Sequence, residues 1–324
     1  MTTPTPPPQM VTVDKTKAIA ILASITALIV SLLALLNVND PGSGTSASAS
    51  SAPSPVVSSS SPTPSASTAV TGCLARLAAC GYPDATNTGA HGTLTPHAGK
   101  LVTTADGQIV ENLDIAGCLQ IVNKNVTVRN VKVEGGCTYS LDTSKATGPT
   151  TISDVTVIGS SGQAATVVLR EGTATRLDVS GGNDGVKIWG SGAVVFSDSY
   201  VHNLTRTTGS HDDAVQVQSG GDVALQHLTL LPFDGTDPMN SCLQIGALTG
   251  NLASLTMAAS ICDGGNYSVL ANSTGVGSTV TAGPIVISGN RFGTDYRYGT
   301  HAHLGPPLNT TWSGNVDDAT GNPL

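Results

Sequence analysis

The chain has 324 residues, a formal net charge of −8, 11% charged residues and 3% aromatic residues. This acidic composition offers no basic patch to neutralise phosphates, so nucleic acid is not an expected partner. By length the chain could hold two or three domains, but a repeat array allows one domain to run this long.

The N-terminal part predicts a membrane anchor. Residues 1–17 form a Pro/Thr-rich tail, and residues 18–36 are 19 residues without a charge, long enough to span a bilayer. Lys15 and Lys17 precede this segment, so the positive-inside rule leaves the tail in the cytoplasm. The length favours an uncleaved anchor over a signal peptide. We therefore predict a single-pass cell-membrane protein with an extracellular C-terminal domain, secreted if the segment is cleaved.

A linker and a cap are expected next. Residues 37–70 are almost entirely Ser, Ala, Thr and Pro, which cannot bury a core and predict a disordered linker. Residues 71–324 form the remaining domain. Its first part, residues 71–107, is predicted to cap the exposed edge of the first repeat.

A six-residue pattern, apolar-x-x-apolar-x-apolar, recurs through this domain. It occurs at residues 110–115, 128–133 and 152–157, and looser copies bring the spacing of the starts to between 18 and 35 residues. The looser copies start at Ala174, Phe196, Leu225, Leu252, Ile287 and Trp312. Such a period indicates a solenoid, and alternating Val and Ile favour strands. We predict an all-β fold, a single parallel β-helix of about nine coils; a β-sandwich would not explain why whole patterns recur.

The run Cys80-Gly-Tyr-Pro-Asp-Ala-Thr-Asn-Thr-Gly89, followed by a Leu-Thr-Pro turn and the repeats, resembles a group of secreted proteins from actinobacteria and their phages. That group belongs to the pectate-lyase-like superfamily, and the similarity covers roughly residues 72–300. The resemblance implies a right-handed parallel β-helix. Most members of the group have no assigned reaction.

A second short strand follows each pattern, and its middle residue is expected to point to solvent because side chains alternate along a strand. Aligning these strands gives one outward column: Gln120, Ser140, Val168, Lys187, Gln216 and Gln244. Lys187, Gln216 and Gln244 lie beside the longest predicted loops. Long loops on one face of a solenoid often mark the binding face.

Acidic residues precede these second strands. Asn183 and Asp184 precede Val186, Asp212 and Asp213 precede Val215, and Asn240 takes the corresponding place in the next coil. Equivalent positions on neighbouring coils lie ~4.8 Å apart. We therefore predict that Asp184 lies next to Asp213, that Asp212 lies between Asn183 and Asn240, and that His211 lies at the edge of this acidic cluster.

Three interpretations of the cluster are open. A protonated and an ionised carboxyl could serve as acid and base on a sugar, with Asp184, Asp212, Asp213 and His211 as catalytic residues. The Asn183-Asp184-Gly185 and Asp212-Asp213 runs resemble the polygalacturonase Asn-Thr-Asp and Asp-Asp motifs, but the Thr, the His-Gly element and the Arg-Ile-Lys run are missing.

Alternatively, the carboxylates could bind Ca²⁺, as pectate lyases do, or the Asn and Asp residues could simply cap turns. Lys187, Gln216, Gln244, Asn183 and Asn240 are the expected substrate-binding residues in the catalytic interpretation.

Six cysteines allow 15 pairings and suggest an oxidising compartment. Cys118 with Cys137 and Cys242 with Cys262 are expected pairs, because about one coil separates their members. Cys73 and Cys80 remain. They would lie ~10.5 Å apart along one unbroken helix, so either the helix breaks before Gly81 or these thiols pair otherwise.

Three functions from different classes follow. The protein is a polysaccharide hydrolase or lyase, a non-catalytic module that binds a cell-surface glycan, or a structural part such as a phage-tail or prophage surface protein. The low aromatic content argues against strong sugar stacking, since only Trp189 and Tyr200 lie near the predicted cleft.

Overall fold

The computed structural model describes residues 72–246, 249–271 and 280–324. In these ranges the only helical elements are two 3₁₀ turns, Cys73–Arg76 and Ala78–Cys80. All other regular elements are β-strands, numbered here in chain order. After the two turns, the chain alternates between two sheets, coil after coil, as far as the last strands.

The larger sheet has 15 strands, which carry the recurring pattern. They are β1 (Thr95–Ala98), β3 (Ile109–Ala116), β5 (Val126–Glu134), β7 (Thr150–Ile158), β9 (Gly172–Ser180), β11 (Val194–Ser197), β12 (Tyr200–His202), β14 (Gly220–Gln226), β15 (Thr229–Leu231), β17 (Leu252–Ala258), β18 (Ile261–Cys262), β20 (Ile285–Ser288), β21 (Arg291–Phe292), β23 (Thr310–Ser313) and β24 (Val316–Asp317).

The second sheet has nine strands, one for each predicted coil. They are β2 (Leu101–Val102), β4 (Leu119–Gln120), β6 (Leu141–Asp142), β8 (Ala165–Leu169), β10 (Asp184–Ile188), β13 (Asp213–Val217), β16 (Ser241–Ile245), β19 (Tyr267–Ala271) and β22 (Gly299–Ala302). All the strand pairs are parallel. An all-β chain of stacked parallel sheets is the arrangement expected of a parallel β-helix.

A bend of the backbone explains why the pattern has two central residues between its first two apolar positions. The second of them adopts a left-handed backbone conformation in each coil, from Asn112 (φ 56°) to Gly314 (φ 63°). Asn, Asp and Gly tolerate this conformation best, and they hold six of the nine positions. These positions are Asn112, Asn130, Asp154, Arg176, Asp198, His227, Ala259, Gly289 and Gly314. The bend lets the apolar residues on both sides point into one core, as in Val128 and Val131, which are fully buried.

Two of the predicted alignments are wrong by a few residues. Leu225 pairs with Met257 rather than with Leu252, so the seventh copy of the pattern starts five residues later than predicted. Gln120 pairs with Asp142, so the outward column passes through Asp142 and not through Ser140. Ser140 is instead buried, and its hydroxyl donates to the carbonyl oxygen of Gly135. Both errors arose because a neighbouring residue fitted the apolar alternation equally well.

The segment before β1 follows a path that the repeat pattern does not indicate. The carboxylate of Asp318, in the last coil, accepts hydrogen bonds from the backbone N–H groups of Cys73 and Leu74. Further along, the N–H of Ala90 donates to Thr156 Oγ1, and the N–H of His91 donates to Asn130 Oδ1. Residues 72–91 thus run along the side of the coils from the last towards the first, and the first coil begins with β1 and β2.

The two predicted disulfides, Cys118–Cys137 and Cys242–Cys262, are confirmed, and Cys73 and Cys80, whose pairing the sequence left open, bond to each other. Cys73–Cys80, Cys118–Cys137 and Cys242–Cys262 have Cα–Cα distances of 5.7, 6.3 and 6.1 Å. The first pair forms because two separate 3₁₀ turns replace a continuous helix, ending at the left-handed Gly81. The other two pairs each join residues of successive coils.

The predicted anchor (18–36), tail (1–17) and linker (37–70) lie outside the described residues. Among the residues that are described, none belongs to a helix long and apolar enough to cross a membrane.

Candidate functional site

The acidic residues lie where two neighbouring strands of the nine-stranded sheet begin. Asp184 is the first residue of β10, and Asp213 is the first residue of β13. Val186 pairs with Val215, so the two aspartates occupy equivalent positions on adjacent strands. On its other side, Asp213 pairs with Ser241 of β16. The structure therefore brings Asp184 and Asp213 together, as the alignment of the coils predicts.

Asp184 is 4% exposed, and both of its carboxylate oxygens have partners. Oδ1 accepts the backbone N–H of Asp213 at 3.1 Å, and Oδ2 lies 3.0 Å from Lys187 Nζ. Burial raises the pKa of Asp184, while Lys187 acts in the opposite direction. Lys187 thus serves as the counter-ion of a buried carboxyl group as well as a member of the outer column.

Asp213 is fully buried. Its Oδ1 accepts hydrogen bonds from Asn240 Nδ2 at 2.8 Å and Ser241 Oγ at 2.5 Å, and Oδ2 accepts one from Gln216 Nε2 at 3.3 Å. Burial, followed by repulsion from Asp184, raises the pKa of Asp213 well above its ordinary value, although the hydrogen bonds from Ser241 and Asn240 oppose this rise. The neutral form is favoured because a second buried negative charge is costly beside the first.

Asp212 is differently placed, since alternation along the chain turns it away from Asp213. It is 1% exposed, and its Oδ2 accepts the Ser210 hydroxyl at 2.9 Å. Its Oδ1 is buried and has no hydrogen-bond partner among the described residues. Burial, helped by Asp184, raises the pKa of Asp212.

Asp212 lines a cavity of about 200 Å³. Arg206, Ser210, His211, Asn240 and Asn266 are among the other residues that line it. The two long connections, residues 203–212 and 232–240, supply most of the wall and are joined by an ion pair between Arg206 and Asp237. This wall is consistent with the prediction that the enlarged loops meet at the acidic residues.

The other residues of the predicted cluster have separate environments. His211 is exposed at the rim of the cavity. The backbone N–H of Asn240 donates to the carbonyl oxygen of Asp212 at 2.9 Å, so these two residues are neighbours as predicted. Asn183 lies on the other side, where its Oδ1 accepts the hydroxyl of Thr207 at 3.3 Å.

The outer column of the same sheet is polar in the middle coils. Lys187, Gln216 and Gln244 pair in register across β10, β13 and β16. Gln216 Nε2 donates to Gln244 Oε1 at 2.6 Å, and Gln218 Nε2 donates to Gln216 Oε1 at 3.0 Å. Trp189 lies two residues beyond Lys187 and is 43% exposed. Val168, predicted to point outward, is in register with Lys187 but fully buried.

Sequence reasoning missed two contributors. Asn266 continues the column of Asp212 and Asn240, since its backbone N–H donates to the carbonyl oxygen of Asn240 at 2.7 Å. Counting three residues back from Val269, as Asn240 lies three before Leu243, would have found it. Arg206 lies in no recognisable motif, and its position on the cavity wall depends on loop geometry and on its partner Asp237.

No group of three or more His, Cys, Asp or Glu side chains in residues 72–246, 249–271 and 280–324 is arranged to hold a metal ion. Ca²⁺ binding by Asp184, Asp212 and Asp213 therefore stays a prediction from the sequence. The same is true of a catalytic role for these residues and for His211.

Comparison with known proteins gave no match: no family model matches the chain, and no curated protein or solved structure is significantly similar to it.

Proposed function

We propose that this protein binds a glycan outside the cell, along the outer face of the nine-stranded sheet where β10, β13 and β16 lie side by side. The observation that carries this proposal is the row of partly buried polar groups formed by Lys187, Gln216 and Gln244. Gln216 and Gln244 are hydrogen-bonded to each other, and Lys187 is held by its ion pair with Asp184. In keeping with the sequence resemblance, we assign the fold to the right-handed parallel β-helices of the pectate-lyase-like superfamily.

The chemistry of this row suits sugars. Amide side chains both donate and accept hydrogen bonds, as hydroxyl groups do. Because Gln216 is bonded to Gln244 and Gln218, less side-chain freedom is lost when a ligand binds. Trp189 adds one exposed aromatic face at the end of the row, against which the apolar face of a sugar ring can pack.

The burial and the hydrogen bonds of Asp184 and Asp213 favour glycan binding over glycan cleavage. Most glycosidases use a pair of carboxyl groups that both reach the scissile bond. Asp213 has no exposed surface, and its oxygens accept hydrogen bonds from Asn240, Ser241 and Gln216. Asp184 is bonded to the backbone of Asp213 and to Lys187. These contacts support a role in fixing the strand ends and the polar row above them.

A hydrolase is the second candidate, and Asp212 is the reason for keeping it. Its side chain lines the cavity, and burial raises its pKa, as is required of a general acid near neutral pH. Asp212 would then protonate the leaving oxygen, and the exposed His211 at the cavity rim would act as the base.

The proposed location is extracellular. Three disulfides close within the described residues, and disulfides persist mainly in oxidising compartments. Together with the predicted anchor at residues 18–36, they support a protein that presents its β-helix outside the membrane.

The test is a panel of uronate-containing and neutral polysaccharides incubated with the purified full chain. We measure co-sedimentation with each insoluble polysaccharide and the release of new reducing ends. The double variant Gln216→Ala/Gln244→Ala should weaken binding about tenfold, since it removes two central polar contacts worth about 1 kcal/mol or less each. Gln226→Ala, on the exposed part of β14, is the matched control and should bind as the unaltered protein does.

Two results would contradict the binding proposal. One is equal binding by the double variant and the unaltered protein. The other is steady release of reducing ends that Asp212→Asn abolishes, which would establish the hydrolase instead.

A further inference from the structure

A second cavity lies on the same sheet, two or more strands away from the acidic cluster. Its volume is about 310 Å³, at the lower end of the range of roughly 300–1,000 Å³ for small-molecule sites. The strands beneath it are β4 and β6, and the Cys118–Cys137 disulfide forms part of its wall. None of its lining residues belongs to the site described above.

The charges around this cavity differ from those of the rest of the protein. Lys100 and Lys145 both line it and are exposed, whereas Asp142 is its only acidic lining residue. The carboxylate of Asp142 is already engaged, because Oδ2 accepts Gln120 Nε2 at 3.0 Å and Oδ1 accepts the backbone N–H of Ser144 at 2.8 Å. Within the described residues, neither lysine forms an ion pair. The cavity is thus locally positive in a chain of net charge −8.

The other polar and aromatic residues that line this cavity favour a sugar over a simple anion as its ligand. Lys100 Nζ donates to Gln120 Oε1 at 2.8 Å, which aligns Lys100, Gln120 and Asp142 in one hydrogen-bonded chain on the floor. Such a chain offers donors and acceptors to hydroxyl groups. Tyr139 supplies a half-exposed ring at the wall, two residues after the disulfide-bonded Cys137. An aromatic ring beside polar groups is suited to packing against one face of a sugar ring.

We propose that this cavity binds a sugar residue bearing a carboxylate, with the carboxylate between Lys100 and Lys145 and the ring beside Tyr139. The proposal shares with the proposed function only the class of ligand. It concerns a separate site, and the two can fail independently.

The experiment is isothermal titration of the full chain, in mild detergent at low ionic strength, with glucuronate, glucose and acetate. Glucuronate differs from glucose by its carboxylate, and acetate carries the anion without the sugar. Glucuronate should bind at least about tenfold more tightly than either, and 0.5 M NaCl should weaken its binding because salt screens exposed charges.

The double variant Lys100→Gln/Lys145→Gln should bind glucuronate about tenfold more weakly, as expected for two exposed charge contacts near 1 kcal/mol or less each. Both lysines are exposed, so the variant should fold normally. Lys124→Gln is the control, since Lys124 is an exposed lysine paired with Asp106 outside the cavity. The two lysine changes should cause the same tenfold loss when they are made in the Gln216→Ala/Gln244→Ala background, which separates this site from the proposed glycan face.

Any of three results overturns the proposal. Equal affinity for glucose removes the requirement for an anion, and equal affinity for acetate removes the requirement for a sugar. Unchanged glucuronate binding by the double lysine variant removes the cavity as the site.

Discussion

The coils before β10 and the coils after it differ in the residue that follows the left-handed bend and in the continuity of their strands. In the early coils, the residue after the left-handed bend is apolar, and each strand runs through the bend: β3, β5, β7 and β9 each have eight or nine residues. In most later coils the same position is polar and the strand is split in two. The residues after the bend are Leu113, Val131, Val155 and Leu177 in the early coils, and Ser199, Leu228, Ser260, Asn290 and Asn315 in the later ones.

Hydrogen bonds between coils accompany most of the splits. Where the residue after the bend is Ser or Asn, its side-chain oxygen accepts the backbone N–H of the residue at the same position one coil earlier. Asn290 Oδ1 accepts the N–H of Ser260 at 2.9 Å, and Asn315 Oδ1 accepts the N–H of Asn290 at 3.0 Å. The later coils therefore carry polar groups inside as well as on the face that we propose to bind glycan. This comparison teaches that a regular repeat accommodates polar residues after the bend where their side chains are hydrogen-bonded to the neighbouring coil.

The largest effect should come from removing one internal polar residue of the later coils. Asn290→Val leaves the N–H of Ser260 and the carbonyl oxygen of Met257 without their partner, and both are buried. Each unsatisfied group costs about 1–3 kcal/mol, so we expect a loss of about 3 kcal/mol in the free energy of unfolding, measured by urea denaturation. Val155→Ala, at the same position of an early coil, should cost about 2 kcal/mol through lost packing. A smaller loss for Asn290→Val than for Val155→Ala would break the comparison.

The next effect concerns two ion pairs with the same chemistry but different burial. Lys187 and Asp184 are nearly buried, with 13% and 6% of their side chains exposed, whereas Arg129 and Glu111 in the early coils are 54% and 41% exposed. Lys187→Met leaves a buried carboxyl group without its counter-ion and should cost about 2 kcal/mol at neutral pH. Arg129→Met should change stability by less than about 0.5 kcal/mol. Equal costs in thermal unfolding at matched pH would show that burial does not distinguish the two pairs.

A smaller effect is expected in the pH dependence of stability. The pKa of Asp213 is raised in the folded protein, so the folded state holds its proton at pH values where the unfolded chain has lost it. The contribution is therefore fully present below the ordinary pKa of 3.8 and is lost as pH rises through the raised pKa. Asp184 and Asp212 contribute with the same sign.

Asp213→Asn should flatten this decline, because the amide oxygen can still accept the bonds from Asn240 and Ser241 but carries no charge. Each unit of pKa elevation corresponds to about 1.4 kcal/mol, and the difference is read from melting temperatures between pH 4 and pH 8. Parallel stability curves for the variant and the unaltered protein would refute a raised pKa at Asp213.

The sequence predicts many of the repeating strands and their neighbours, but it predicts few of the contacts between the coils and the segments that run along them. Alternating apolar residues were enough to foresee the parallel strands and the neighbouring positions of Asp184 and Asp213. The register slipped at Met257 because Leu252, Leu255 and Met257 fit the same alternation, and only pairing with Leu225 decides between them. The path of residues 72–91 could not be predicted, since its contacts, such as Cys73 with Asp318, join residues far apart in sequence that no repeat relates.

The sequence could not predict that Asp212 Oδ1 lacks a hydrogen-bond partner among the described residues, because this depends on how two loops fold around the side chain. The polar residues after the bend were visible in the sequence as a change from Val to Ser and Asn. Their hydrogen bonds along the coils became evident only with the register known.

The central claim is that the middle coils bind glycan on their outer face without cutting it. The most direct measurement is hydrogen–deuterium exchange of the full chain with and without the best-binding polysaccharide, with product analysis of the same sample. Our account predicts slowed exchange in peptides that cover β10, β13 and β16 and their loops, with polysaccharide length unchanged. A uronate-containing polysaccharide should also slow exchange at the cavity on β4 and β6, and at no other strands. Slowed exchange elsewhere, as in β14 or β17, or a shortened polysaccharide would contradict it.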